Sequence, residues 1–117
     1  MKRSSLTVLL LFSFLISSCS MTKKACVDDV YKNAKLAYDQ QDYETSKKHY
    51  QEFLDRNPDS GLREVALYYL ASSYQETGYL NKAASIYQNL IEHYQNDFWT
   101  NSAKEEVKSI NKILSRL

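Results

Sequence analysis

The fold is decided by two similar stretches, SKKHYQEFL at residues 46–54 and AASIYQNLI at residues 83–91. A small residue opens each stretch, and Tyr50 and Tyr87 follow it four positions later. Each stretch then ends in two large apolar residues. Residues at this spacing lie on one face of an α-helix. The two stretches therefore predict two amphipathic helices that bury the same kind of face.

The two stretches lie 37 residues apart, and the same shift overlays other parts of the chain. Pairs related by this shift include Tyr31 and Tyr68, Ala34 and Ala71, Gln51 and Gln88, and Ala66 and Ala103. Small residues fall on small ones, and large apolar residues fall on large ones. A structural repeat preserves this pattern because each unit buries the same face against its neighbour.

The spacing of apolar residues predicts five helices, at 28–40, 43–56, 62–77, 80–95 and 101–115. The segments 57–61, 77–78 and 96–101 separate the later helices, and Ser102 to Glu105 has the spacing of a capping box. Only 2 glycines and 1 proline occur in the chain, which argues against a turn-rich β-fold. We therefore expect an all-α domain over residues 27–117.

The two units that the 37-residue shift overlays resemble tetratricopeptide repeats. These are helix–turn–helix units with small and aromatic residues at fixed positions. The subtype is similar to the one in the outer-membrane β-barrel assembly lipoprotein and in the Tol–Pal-associated periplasmic protein. The resemblance implies two repeats and a C-terminal capping helix stacked as an α-solenoid. The chain departs from the repeat pattern at Asn33, Ala37, Gln41 and Gln95.

The resemblance implies a partner-binding groove on the concave face, which the first helix of each unit lines. The positions carried over from the family are Tyr31, Lys35, Tyr38, Asp39, Tyr68, Ser72, Gln75, Glu76, Glu105 and Lys112. Rigid aromatic side chains would supply contact area there, and the polar groups would set the register of a bound peptide. The alternative is a solvated helix face without a ligand.

The remaining aromatic residues are expected to serve packing. Tyr50, Tyr74, Tyr87 and Tyr94 are predicted to lie in the core, with their hydroxyl groups reaching the surface. Phe98 and Trp99 fall in the predicted loop before the last helix. They either pack that helix or form an exposed contact with a partner or a membrane surface.

The N-terminus has the layout of an export signal, because Lys2 and Arg3 precede an apolar run too short to span a bilayer comfortably. Residues 16–19, ISSC, resemble the lipobox of bacterial lipoproteins. The resemblance implies that residues 1–18 are a signal peptide, that Cys19 carries diacylglycerol, and that the new N-terminus carries a further acyl chain such as palmitate. An ordinary cleavable signal or an uncleaved anchor helix are the alternatives.

The lipobox also predicts a location. Because Ser20 rather than Asp follows Cys19, the family pattern favours the periplasmic face of the outer membrane. In a bacterium with one membrane, the same signal would mean the outer face of the cell membrane. Residues 19–26 would form a polar tether, and its last seven residues would reach at most about 25 Å when extended.

Charge and residue types argue against nucleic-acid binding, metal binding and catalysis. The predicted signal carries two of the 15 basic residues, so the mature chain has 13 basic residues against 14 acidic ones and no basic stripe for nucleic acid. His49 and His93 stand alone on different predicted helices, and two glycines cannot build a phosphate loop. We therefore expect no cofactor, no metal and no catalysis.

If Cys19 is lipidated, Cys26 has no partner within the chain. It is then either a thiol without a role or the site of an intermolecular disulfide in a homodimer.

The function predicted from these observations is a membrane-anchored adaptor for an envelope protein or peptide segment, for example in outer-membrane protein assembly. A structural homo-oligomer and a small-ligand or cell-wall-binding lipoprotein are the alternatives. A closed pocket between helices would favour a small ligand, and an open groove would not.

Overall fold

The computed structural model describes residues 19–95 and 97–117, which form five α-helices. In chain order they are α1 (Cys19–Asp39), α2 (Tyr43–Arg56), α3 (Arg63–Glu76), α4 (Leu80–His93) and α5 (Phe98–Leu114). Each helix packs against the next one, and α3 also contacts α1 and α5. Stacked helix pairs with contacts only between neighbours define an α-solenoid. The predicted all-α class is therefore confirmed.

The helix bounds agree with the predictions in the middle of the chain and differ at its N-terminal side. Helix α2 has the predicted bounds, and α3 and α4 differ from prediction by one or two residues at an end. Helix α1 begins at Cys19, nine residues before its predicted start, and so includes the segment assigned to an extended tether. Seven helical residues span about 10 Å, because an α-helix rises 1.5 Å per residue. The predicted signal peptide, at residues 1–18, lies outside the described residues.

Helix α5 begins three residues before its predicted start. Asp97 is its N-cap, and the Asp97 carboxylate accepts a hydrogen bond from the backbone N–H of Thr100 at 2.8 Å. The capping box predicted at Ser102 to Glu105 is therefore wrong, since a stronger cap lies upstream. Phe98 and Trp99 lie in the first turn of α5 and not in a loop. The ring of Trp99 packs on Tyr68 of α3, which supports the added turn.

The turns that follow α1 and α3 occupy equivalent places in the repeat. Gln41 has φ 62° and Gly78 has φ 86°, and the two residues are 37 positions apart. Positive φ is favourable for glycine and costly for residues with a Cβ atom. The first turn therefore keeps the backbone of the repeat although its sequence departs from the usual glycine.

The core lies along the contacts between consecutive helices. Tyr50, Phe53, Tyr87, Leu90 and Ile110 are its largest fully buried apolar side chains. Five alanines are fully buried with them: Ala34, Ala66, Ala71, Ala83 and Ala103. Most of these residues recur at the 37-residue spacing, so most of the core is built twice from the same positions.

Candidate partner-binding surface

A continuous row of aromatic rings crosses α1, α3 and α5. We call it the aromatic row, and its members in spatial order are Tyr38, Tyr69, Tyr68, Trp99 and Phe98. The centroids of consecutive rings are 4.8, 5.7, 5.1 and 5.0 Å apart. All five side chains are partly exposed, and Phe98 is 71% exposed. The row therefore offers aromatic area to a partner while its members support one another.

The repeat explains why the row crosses from one helix to the next. Tyr38 of α1 reaches Tyr69 of α3, and 37 residues later Gln75 of α3 reaches Glu106 of α5. In the second pair the Gln75 amide nitrogen donates to the Glu106 carboxylate at 2.9 Å. The two contacts occupy equivalent positions, so the same junction is aromatic in one copy and polar in the next.

Two hydroxyl groups of the row, those of Tyr38 and Tyr68, remain protonated. Burial raises the pKa of Tyr38 above its ordinary value, although the hydrogen bond with Ser72 opposes the shift. Burial also raises the pKa of Tyr68, and the nearby Glu106 carboxylate adds to the effect. Tyr38 and Tyr68 therefore add no phenolate charge to this surface.

The helices that carry the row also carry exposed charged groups. Lys35 and Asp39 form an exposed ion pair of 2.9 Å on α1, and hydrogen bonding to Asp39 raises the pKa of Lys35. Glu76 of α3 and Lys112 of α5 are exposed. Exposed pairs of this kind contribute little to stability, so these side chains are free to exchange their partners for those of a ligand.

The structure brings together only part of the predicted groove. Tyr38 of α1 contacts Ser72 of α3, and Tyr68 and Gln75 of α3 contact α5. Tyr31 instead packs edge-on against Tyr50 and Phe53 and belongs mainly to the core.

Ser72 and Glu105, two further residues of the predicted groove, do not line an exposed concave face. Ser72 is 9% exposed and lies beneath the Tyr38 hydroxyl, 2.8 Å away. Glu105 pairs with Lys108 at 2.8 Å and lines the groove between α4 and α5.

Two residues of this surface were not predicted, Tyr69 and Glu106. Tyr69 contacts four rings, those of Tyr38, Tyr50, Tyr68 and Trp99. Helical spacing places Tyr69 near Ser72 on α3, three residues away, but its ring contacts depend on how α1 and α5 pack. Phe98 and Trp99 were predicted as a possible partner contact, although in a loop and not in the first turn of α5.

The buried tyrosines correct one prediction. Tyr50 and Tyr87 are fully buried, as expected, but their hydroxyl groups do not reach the surface. The Tyr87 hydroxyl donates to the Gln75 side-chain oxygen at 3.1 Å. The Tyr50 hydroxyl finds no hydrogen-bond partner among the described residues. Tyr74 and Tyr94 are partly buried against the core, as predicted.

Three grooves between the described helices have volumes of ≈ 860, ≈ 490 and ≈ 260 Å³, and each opens to solvent. Within residues 19–95 and 97–117, no three His, Cys, Asp or Glu side chains converge as a metal site would require. None of the helices described is both long enough and apolar enough to cross a membrane.

A stacked set of helix–turn–helix units with an aromatic row across its first helices defines a helical-repeat interaction module. Comparison with known families matches residues 31–60 and 65–97 to the tetratricopeptide repeat, so the chain belongs to that family. The two matched segments correspond to the two predicted units, and the family consists typically of non-catalytic scaffolds for protein–protein interaction. A search of curated proteins found no match to this chain.

Proposed function

We propose that this protein is a lipid-anchored adaptor of the bacterial envelope that holds a partner protein against the aromatic row. The tetratricopeptide repeats support a role in protein–protein interaction. The observation that carries the proposal is the aromatic row itself, which spans three helices with its rings partly exposed.

The physical argument for the row rests on what aromatic side chains contribute to interfaces. Tyrosine and tryptophan supply a large contact area with few rotatable bonds, and they dominate the binding energy of many interfaces. Here the rings are already held by one another, so a partner would find them ordered before it binds. An ordered surface loses less conformational entropy on binding.

The shape of the grooves favours a macromolecular partner over a small ligand. A small-ligand site is usually a concavity that covers most of its ligand. The three grooves between the described helices are open instead. An open surface suits an extended segment or a helix of another protein.

The proposed anchor rests on the lipobox pattern at residues 16–19. Two or more acyl chains meet the requirement for stable anchoring, since each buried CH₂ contributes about 0.8 kcal/mol. The anchor would confine the search for a partner to a layer beside the membrane. The favoured location is the periplasmic face of the outer membrane, by resemblance alone. Outer-membrane protein assembly, pilus or secretin piloting, and envelope organisation are the candidate pathways, and the sequence does not choose among them.

The anchor is tested by exchanging one cysteine at a time in the full chain. Cys19→Ser should abolish incorporation of an alkyne-labelled fatty acid and release the protein from the membrane fraction. Cys26→Ser is the matched control and should keep both properties. Lipid label that persists on Cys19→Ser would contradict the proposed anchor.

The partner surface is tested with exposed apolar side chains, because their removal leaves the core intact. Phe98→Ser should reduce the amount of partner recovered after crosslinking in intact cells. Leu36→Ser, at a residue 54% exposed on α1 and outside the row, is the control and should leave recovery unchanged. Equal recovery with both variants would count against the aromatic row.

A further inference from the structure

The groove between α4 and α5 is a second surface with the features of a helix-binding site. Its floor holds two apolar side chains, Ile91 and Val107, and its edges hold Lys104 and Lys108. The groove has a volume of ≈ 490 Å³ and is open to solvent. It lies apart from the aromatic row, whose residues do not line it.

The same groove exists one repeat earlier, where a helix already covers part of it. A shift of 37 residues carries Ile91 back to Leu54 and Val107 back to Leu70, which line the groove between α2 and α3. There α4 lies over the groove and contributes Lys82, Ser85, Ile86 and Asn89 to its walls. The covered groove is smaller, at ≈ 260 Å³. The fold thus shows what fits this shape, namely one face of an amphipathic helix.

The two grooves differ in charge at their edges. Leu67 lines the first groove and Ala71 is buried beside it on α3, and their equivalents in the second groove are Lys104 and Lys108. Lys108 pairs with Glu105 at 2.8 Å, whereas none of the ion pairs among the described residues involves Lys104. The edge of the open groove therefore carries a net positive charge beside an apolar floor.

We propose that the α4–α5 groove binds an acidic amphipathic helix of a partner protein, in the position that α4 takes against α2 and α3. The apolar stripe of that helix covers Ile91 and Val107, and its carboxylates face Lys104 and Lys108. This site goes beyond the proposed function, since it uses a different surface and stands if the aromatic row binds nothing.

The test uses α4 itself as the probe, because α4 fills the equivalent groove. Two fluorescein-labelled peptides of residues 79–95 are titrated with the full chain, one native and one with Lys82→Glu. Lys82 lines the covered groove, so its equivalent in a bound peptide faces Lys104 and Lys108. The acidic peptide should bind about fivefold more tightly, the size expected for one exposed charge contact.

Charge-reversal variants of the protein provide a second test and its matched control. Lys104→Glu should reverse the preference, so that the native peptide binds more tightly than the acidic one. Lys48→Glu makes the same change at an exposed site on α2 and should leave the preference intact. Equal affinity of both peptides, or a preference that Lys104→Glu does not alter, would overturn the proposal.

NMR shows where on the protein the peptide binds. Methyl resonances of Ile91 and Val107 should shift when the acidic peptide is added, and shifts confined to the aromatic row would overturn the proposal.

Sedimentation of the protein alone should give a monomer. A dimer that Lys104→Glu dissociates would assign the groove to a second copy of this chain and would overturn the proposal too. Phe98→Ser should not affect peptide binding, which separates this test from that of the aromatic row.

Discussion

The hydroxyl oxygens of Ser46 and Ser73 lie 3.0 Å apart in the buried contact between α2 and α3. Ser73 donates to the Tyr69 carbonyl oxygen at 2.7 Å, so Ser46 is the donor to Ser73. One repeat later the equivalent residues are Ala83 and Ile110, both fully buried. The same contact is therefore polar in the first repeat and apolar in the second.

This pair predicts an asymmetric response to mutation. Ser73→Ala removes the one side-chain partner that the Ser46 hydroxyl has among the described residues and should cost about 1–3 kcal/mol of unfolding free energy. Ser46→Ala leaves the bond from Ser73 to Tyr69 in place and should cost about 1 kcal/mol. The double variant should lose less than Ser73→Ala alone, because no hydroxyl remains unpaired. Urea unfolding of the three variants checks this, and strictly additive costs would contradict it.

The two buried tyrosines predict effects of opposite sign. Tyr50→Phe removes a hydroxyl that has no partner among the described residues and should leave stability unchanged or raise it by up to about 1 kcal/mol. Tyr87→Phe removes the donor to Gln75 and should lower stability by about 1 kcal/mol. The two substitutions are otherwise alike, since both rings are fully buried. Thermal unfolding that ranks the variants the other way round would refute the assignment of these hydroxyls.

The paired turns predict a stabilising change. Gln41→Gly places glycine at φ 62° and should raise stability by up to about 1 kcal/mol, as relief of backbone strain exceeds the added freedom of the unfolded chain. Gly78→Ala is the reverse change at φ 86° and should lower stability by about 1 kcal/mol. A Cβ atom at Gly78 would meet no atom within 4 Å, so that loss measures the backbone alone. Chemical denaturation checks both values.

Two carboxyl groups lie close together where α3 begins and α5 is capped, those of Glu64 and Asp97. Burial raises the pKa of Glu64 to about 7, and the neighbouring Asp97 adds to the shift. The pKa of Asp97 is lowered, chiefly by its hydrogen bond with Glu64 and then by the backbone N–H of Thr100. Glu64 therefore holds the proton of the pair near neutral pH, and Asp97 stays ionised as the helix cap.

This contact makes stability depend on pH near neutrality. Between the unfolded pKa of Glu64, about 4.5, and about 7, the folded state binds more protons than the unfolded state. The free energy of unfolding should therefore fall as pH rises through that window. Glu64→Gln should flatten this dependence, because glutamine keeps the neutral form at every pH. Urea unfolding from pH 5 to pH 8 measures it, and an equal slope in the variant would contradict the account.

The repeat arrangement could be predicted from the sequence because it rests on patterns that one helix displays by itself. The 37-residue shift pairs Tyr50 with Tyr87 and Ala34 with Ala71, and all four are buried as such a repeat requires. Helix α2 could be bounded correctly, since Asn57 and Pro58 interrupt the pattern where it ends. Each of these signals lies within a single helix or turn, so it can be recognised before the packing of the helices is known.

The composition of the aromatic row could not be predicted because it depends on contacts between helices. Tyr69 is one of two adjacent tyrosines, and only the packing of α1 and α5 against α3 shows that it contacts Tyr38 and Trp99. The start of α5 likewise combines the Asp97 cap with the contact of Trp99 against α3, and that contact is not visible in the sequence. Sequence spacing indicates which face of a helix is buried, and it does not indicate which neighbour that face meets.

The most direct test of the adaptor is site-specific photo-crosslinking in living cells. A benzophenone amino acid replaces Glu76, an exposed residue on the row's central helix, and in a second strain Lys48, an exposed residue on α2. The account predicts a discrete crosslinked product from position 76 that is absent at position 48 and is lost when Phe98→Ser is added. No product at position 76, or the same product at both positions, would contradict the claim that the first helices bind a partner.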